Sequence, residues 1–305
     1  MSPKASSKGS STATWECPTC RRRFAKAHQW HSCETKKLEE HFRGRDPELR
    51  GIFDELVRRL RKLGPVEVDP VNALAVLADG MGGYNAGEVA STMATSFIKT
   101  ELGRWLHEAA GHATDTEVRR AMDICVDNAN RAILNAANAN PQYAGMGTTL
   151  IVAVFREGQL RLGHVGDSRA YRMRGGQLVQ ITRDHSLLQE QIDAGLITPE
   201  QAAFSANKNL VTRAVGVEDT VLLETHLHEV QPGDLYLMCS DGLSDMLDNA
   251  TLAQLLQTHD ELPTAGRALI DAANDAGGKD NIALVLVRVA GNPAANAKPW
   301  WRFGR

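Results

Sequence analysis

The chain has 305 residues, 43% hydrophobic and 23% charged, with a formal net charge of −3. That is enough for one large domain with its own core plus a small appendage. The near-neutral charge argues against nucleic-acid binding by the whole chain, though not by a local basic patch, and no apolar run approaches the roughly 20 residues that span a bilayer.

Residues 1–14 are polar and low in complexity, which predicts a disordered tail; without an apolar segment they do not read as a secretory signal. Residues 15–65 form a Cys/His segment followed by a helix, with Leu38, Phe42, Leu49, Phe53, Leu56 and Leu60 at helical spacing until Gly64-Pro65. Five cysteines are an odd count, three of them crowded at Cys17, Cys20 and Cys33; Cys125 and Cys239 stand alone in apolar surroundings as reduced core residues. A disulfide framework is therefore not expected, and the cytoplasm is the expected compartment.

From Val66 the pattern changes. Val66, Val68 and Ala73–Ala78 read as strand, followed by helices at about 86–109 and 115–138. Strands are expected at Thr148–Phe155, Gln159–Val165, Ala170–Met173 and Leu178–Ile181, the two pairs each joined by a short hairpin turn. Residues 183–209 read as a surface helical excursion. Strands return at Val221–Glu229 and Leu235–Cys239, helices near 251–257 and 263–276, and a last strand at Ile282–Val289. Residues 291–305 read as a flexible tail containing Trp300 and Trp301. Hairpins inside and long helices outside predict helices layered on antiparallel sheets.

Four aspartates sit where an apolar strand runs into a glycine turn or an amide: Asp79 in ADGMGG, Asp167 in VGDSRA, Asp241 in CSDGL and Asp280 in GGKDNI. A carboxylate at a strand end is costly unless something binds it. Four such ends gathered at one rim would make an oxygen cage for hard divalent cations, with the Gly80 carbonyl as a further ligand. Singly, each is equally an Asp helix cap or an Asx turn.

The ordered set ADGMGG, GMGTTL, GHVGDSRAYR, TRDHSL, LVTRAVG, GDLYLMCSDGLSDML and GGKDNIALVLV resembles the motifs of bacterial PPM/PP2C-type serine/threonine phosphatases, over residues from about 66 to 290. The resemblance implies an α+β fold, a four-layer αββα sandwich of two antiparallel sheets flanked by helices. It also implies a centre of two Mn²⁺ or Mg²⁺ ions that activates water for attack on phosphoserine or phosphothreonine. Carried over by motif, Asp79 would bridge both ions, Gly80 would give a carbonyl, Asp241 and Asp280 would complete one shell, Asp167 would serve a third, weaker metal, and Asn281 would orient Asp280. Thr148 and Thr149 would pack or bond beneath the site, and His164 and His185 would be structural. Implied partners are phosphoproteins written by a Ser/Thr kinase; neither a membrane nor nucleic acid is expected, and the chain is expected to be a monomer.

The sequence departs from the family at its start. The family opens on a strand carrying a phosphate-gripping arginine, then Asn-Glu-Asp with an acid for the second metal, and no segment before Asp79 matches it. Glu67 or Asp69 is the available substitute acid. Upstream, residues 15–65 resemble part of a DUF5655-type domain, so both modules look cut at their junction. The departure leaves open an alternative: a catalytically impaired, phosphatase-like binding or scaffold module. Cys17 and Cys20, with Cys33 and His31 or His28, have zinc-knuckle spacing. Structural Zn²⁺, no metal, and a nucleic-acid contact through Arg21–Arg23 and Lys26 all remain open for that segment.

Overall fold

The computed structural model describes residues 15–16, 23–24, 66–68, 73–82, 86–109, 112–202 and 210–290. The chain divides into two compact units, Met1–Lys62 and Leu63–Arg305. In the first, β1 (Trp15–Glu16) pairs antiparallel with β2 (Arg23–Phe24). The zinc candidates Cys17, Cys20, His31 and Cys33, the alternative His28, the helix expected before Gly64-Pro65, both tails and Asp69 lie outside the described residues.

The second unit holds two sheets. The five-stranded sheet runs β10 (Gln177–Gln180), β9 (Arg169–Arg174), β12 (Leu235–Cys239), β13 (Leu284–Val289) and β3 (Val66–Val68). The four-stranded sheet runs β11 (Glu224–Glu229), β8 (Gln159–Val165), β7 (Leu150–Arg156) and β4 (Ala73–Leu77). A short pair, β5 (Gly80–Met81) with β6 (Gly147–Thr148), lies beside them. All pairings are antiparallel except β3 with β13, which is parallel. The edge beside β13 is thus taken by Val66–Val68.

Strand periodicity explains the layering, because successive side chains face opposite ways. On β7, Leu150, Val152 and Val154 join the core under helices α1 (Ala86–Ala109) and α2 (Asp115–Ala139). The alternate residues Ile151, Ala153 and Phe155 enter the core between the sheets, with Tyr236 and Met238 of β12 and Val287 of β13. The other residues of β12, Leu235, Leu237 and Cys239, face outward to Leu252 and Leu256 of α6 (Asn249–Thr258) and Leu269 of α7 (Leu262–Asp275). Strands buried on both faces read as unbroken apolar runs, hence LIVAVF and LYLMC. Three stacked cores make the expected αββα sandwich.

Among the described residues the remaining α-helices are α3 (Leu187–Asp193) and α4 (Pro199–Ala202) in the excursion and α5 (Asp241–Ser244) after β12, and a short 3-10 turn, Pro141–Tyr143, follows α2. A reciprocal capping box, Thr114 with Glu117, starts α2 at the position the sequence predicts. The expected strand from Thr148 is split at Thr149, whose amide turns to the Asp79 carbonyl. The expected strand from Val221 begins three residues later, at Glu224. No helix among the described residues is long and apolar enough to cross a membrane.

Ile151 is wholly buried between the sheets. Ile151→Ala should cost about 2–5 kcal/mol of stability, read as a lower urea midpoint at unchanged slope; a loss under about 1 kcal/mol would show that this layer repacks freely.

Candidate metal centre

The chain direction brings the four aspartates to one rim. β4 and β8 both flank β7 antiparallel, so their C-terminal ends, leading into Asp79 and Asp167, point the same way. The Asp167 turn then crosses to β9, whose first residue Arg169 pairs with Cys239 at the end of β12. Cys239 also pairs with Leu284 at the start of β13. Asp241 follows the first of these and Asp280 precedes the second.

Local bonds hold each turn. The Asp79 amide donates to Thr149 Oγ1 at 3.0 Å, while the Thr149 amide and the Thr148 hydroxyl each donate to the Asp79 carbonyl at 2.8 Å. Thr149 Oγ1 and Ser168 Oγ are 2.8 Å apart, which ties the Asp79 turn to the Asp167 turn. Ser240 does the same on the other side: its hydroxyl donates to the Asn281 carbonyl at 3.2 Å and accepts from the Ala283 amide at 3.0 Å. The Asn281 amide donates to Asp280 Oδ1 at 2.7 Å, so the backbone of Asn281 rather than its side chain orients Asp280.

Two close approaches require glycine. A Cβ on Gly80 would lie 1.8 Å from the Gly87 carbonyl oxygen at the start of α1, and one on Gly242 would lie 2.2 Å from the Asn281 carbonyl oxygen. The second contact presses the Asp241 turn against the Asp280 turn.

Electrostatics show how tightly the acids are gathered. Burial, followed by the carboxylate of Asp241, pushes Asp79 from the usual 3.8 up to about 7, with further contributions from Asp280 and Asp167. Burial and then Asp241 likewise push Asp167 up to about 7. Asp241 is raised by burial and then by Asp280, and its Oδ1 is buried with no hydrogen-bond partner. The main charges acting on Asp79 are all carboxylates. An all-oxygen donor set with an orphaned buried acceptor fits a hard divalent cation.

Beside these acids is a cavity of about 250 Å³, lined by Asp167, Asp241 and Asp245 and, from the excursion, Leu188, Gln189 and Ile192. Arg169 also lines it, with Nε and Nη2 bonded to Asp184 at 2.9 and 2.6 Å. The structure therefore brings Asp79, Asp167, Asp241 and Asp280 together, with Gly80 adjacent and Asn281 beneath Asp280. Of the substitute acids, Glu67 is described only as backbone. Sequence reading missed Ser168, Ser240 and the Arg169–Asp184 pair. The first two were signalled only by standing next to an aspartate in each motif.

The raised carboxylates set a pH dependence. The unfolded chain releases these protons near 3.8 and the folded, metal-free chain holds them to about 7. Their stabilising contribution is full below about pH 4 and is lost as pH rises toward 7. Over that window the melting temperature of metal-free wild type should therefore fall relative to that of Asp79→Asn, as followed by circular dichroism. A wild-type profile matching the variant's would contradict the clustering.

Comparison with known proteins gives the same family as the motifs. Residues 63–268 match the family model described as Protein phosphatase 2C. The serine/threonine phosphatase stp of Listeria innocua is 36% identical over 214 residues, covering 70% of this chain and 83% of that protein. The crystal structure of Stp1 from Staphylococcus aureus superposes with a TM-score of 0.66 at 33% identity, covering 72% of this chain and 85% of that one. The PstP catalytic domain in complex with two manganese ions gives 0.60 at 35% identity, covering 73% and 92%. This chain belongs to the protein phosphatase 2C family of metal-dependent serine/threonine phosphatases.

Proposed function

We propose that this rim hydrolyses phosphoserine and phosphothreonine in proteins, with two divalent cations held by Asp79, Asp241 and Asp280 and the Gly80 carbonyl. A third, weaker cation would lie at Asp167. The observation that carries the reading is the Asp79 carboxylate, half-buried and surrounded by three others, raised to about 7 chiefly by burial and Asp241. Cations bound there acidify water and offset negative charge on the phosphoryl oxygens.

The chain's own residues do the positioning. Thr149 fixes the Asp79 backbone from both sides, so that the carboxylate can lean between two neighbours. Ser240 and Gly242 lock the Asp241 and Asp280 turns into one unit. The cavity beside Asp167 gives the phosphorylated side chain an approach bounded by the excursion. Neither Cys125 nor Cys239 serves as a nucleophile; both are buried, and burial pushes the Cys239 thiol up to about 12.

A second reading, a module that binds phosphoprotein with impaired turnover, draws on Arg169. Among the described residues it is the arginine lining the cavity, and Asp184 engages it. Without a free guanidinium fork, phosphate affinity loses a charge-assisted contact.

One assay separates the two. With Mn²⁺, the protein should hydrolyse p-nitrophenyl phosphate and a phosphothreonine peptide with a high KM. Asp79→Asn and Asp241→Asn should each lower kcat by about 100-fold or more. Wild-type turnover no faster than that of Asp241→Asn would overturn the enzyme reading in favour of the binding module.

A further inference from the structure

A second titratable cluster lies below the Asp167 turn. His164 is the last residue but one of β8, Glu224 begins β11 opposite it in register, and His185 lies at the start of the excursion, two residues before α3. One nitrogen from each histidine and a Glu224 oxygen lie within 4.8 Å of one another, a spacing open to a metal ion. The hydrogen bonds argue otherwise. The Gly166 amide donates to His185 Nδ1 at 3.1 Å. A backbone N–H can only donate, so Nδ1 carries the lone pair and the proton of the neutral ring sits on Nε2. Nε2 lies 3.0 Å from Glu224 Oε2 and donates to it. No lone pair remains on His185 for a metal.

Everything around the ring enforces this one tautomer and orientation. The His164 ring stacks on it at 4.7 Å and 15°. His226 Nε2 donates to the other Glu224 oxygen at 2.9 Å. Burial works to raise Glu224, but the bonds from His226 and His185 outweigh it and hold the group at about 2, an acceptor at neutral pH. The His185 amide donates back to the Gly166 carbonyl at 3.0 Å. Glu224, His185 and Gly166 therefore form a chain of directed bonds that ends one residue before Asp167.

We propose that His185 is a positioning residue: through its Nδ1 bond to the Gly166 amide, and held by Glu224, it sets the direction of the Asp167 carboxylate into the metal rim. The proposal rests on the metal-centre reading of Asp167. It differs from a packing role because it depends on one lone pair, which two near-isosteric substitutions separate. His185→Asn puts a carbonyl oxygen where Nδ1 was and keeps the Gly166 bond while losing Glu224. His185→Gln puts an NH₂ where Nε2 was and keeps Glu224 while losing the Gly166 bond.

Three readouts test it, none needing substrate. Imidazole ¹⁵N spectra of the metal-free wild type should show the His185 proton on Nε2. Gly166 amide exchange should stay slow in His185→Asn and become at least about tenfold faster in His185→Gln. Mn²⁺ titration followed by electron paramagnetic resonance should show the weakest binding step weakened about tenfold in His185→Gln alone, the scale of a lost orienting contact to a metal ligand. A proton on Nδ1, equal behaviour of the two variants, or faster Gly166 exchange with unchanged Mn²⁺ binding would overturn it. A wild-type proton on Nδ1 overturns the proposal even if a variant fails to fold. The first two readouts stand even if the protein proves inert toward phosphoesters, so failure of the proposal is separable from failure of the proposed activity.

Discussion

Burial of carboxylates crowded against one another at one rim, with the repulsion it sharpens, is the constraint on which the rest of the structure depends. Asp79, Asp167 and Asp241 are pulled partly out of water and placed within each other's fields, and the first two respond by holding protons to about 7. A fold that forces such groups together without a compensating charge gives up stability there. The sandwich must therefore supply the difference through its cores. Three stacked apolar layers, with β7 and β12 buried on both faces, do this. The metal-binding proposal gives that concession a purpose, since a cation recovers what the repulsion costs.

The geometry of the rim follows from strand direction more than from any single residue. Antiparallel pairing sends β4 and β8 toward one end, and the β12–β13 pair opens toward the same turn that begins β9. Neutral hydroxyls then sew the turns together. Thr149 and Ser168 join two of the acidic turns and Ser240 joins the other two. Hydroxyls suit this role because each can donate and accept at once, and adding no charge to an already overloaded site keeps the field directed at a cation. The proposed His185–Glu224 pair works through directed bonds in the same way, reaching the Asp167 turn through the Gly166 amide.

The architecture was largely legible in the sequence. Apolar runs such as LIVAVF announced strands, and the spacing of Val118, Met122, Cys125, Ala129 and Ile133 announced α2, although the Thr114–Glu117 box that starts it and the burial of β7 on both faces emerged only from the structure. The acidic turns were legible as an ordered set of motifs, because an aspartate beside a glycine at a strand end is conspicuous. What escaped was contact across the chain. Ser240 looks like any small polar residue before Asp241, and only the register of β12 with β13 brings it to the Asn281 backbone. His185 and Glu224 are 39 positions apart, and the direction of their bond is decided by the Gly166 amide, which has no signature in the sequence. The parallel pairing of Val66–Val68 with β13 was equally invisible, since periodicity gives a strand but not its partner.

The central claim is that these carboxylates exist to hold a pair of hard cations, and anomalous diffraction from a crystal grown with Mn²⁺ tests it most directly. The account predicts two manganese peaks about 4 Å apart among Asp79, Asp241 and Asp280. Well-ordered carboxylates at that rim with no anomalous peak between them would contradict it.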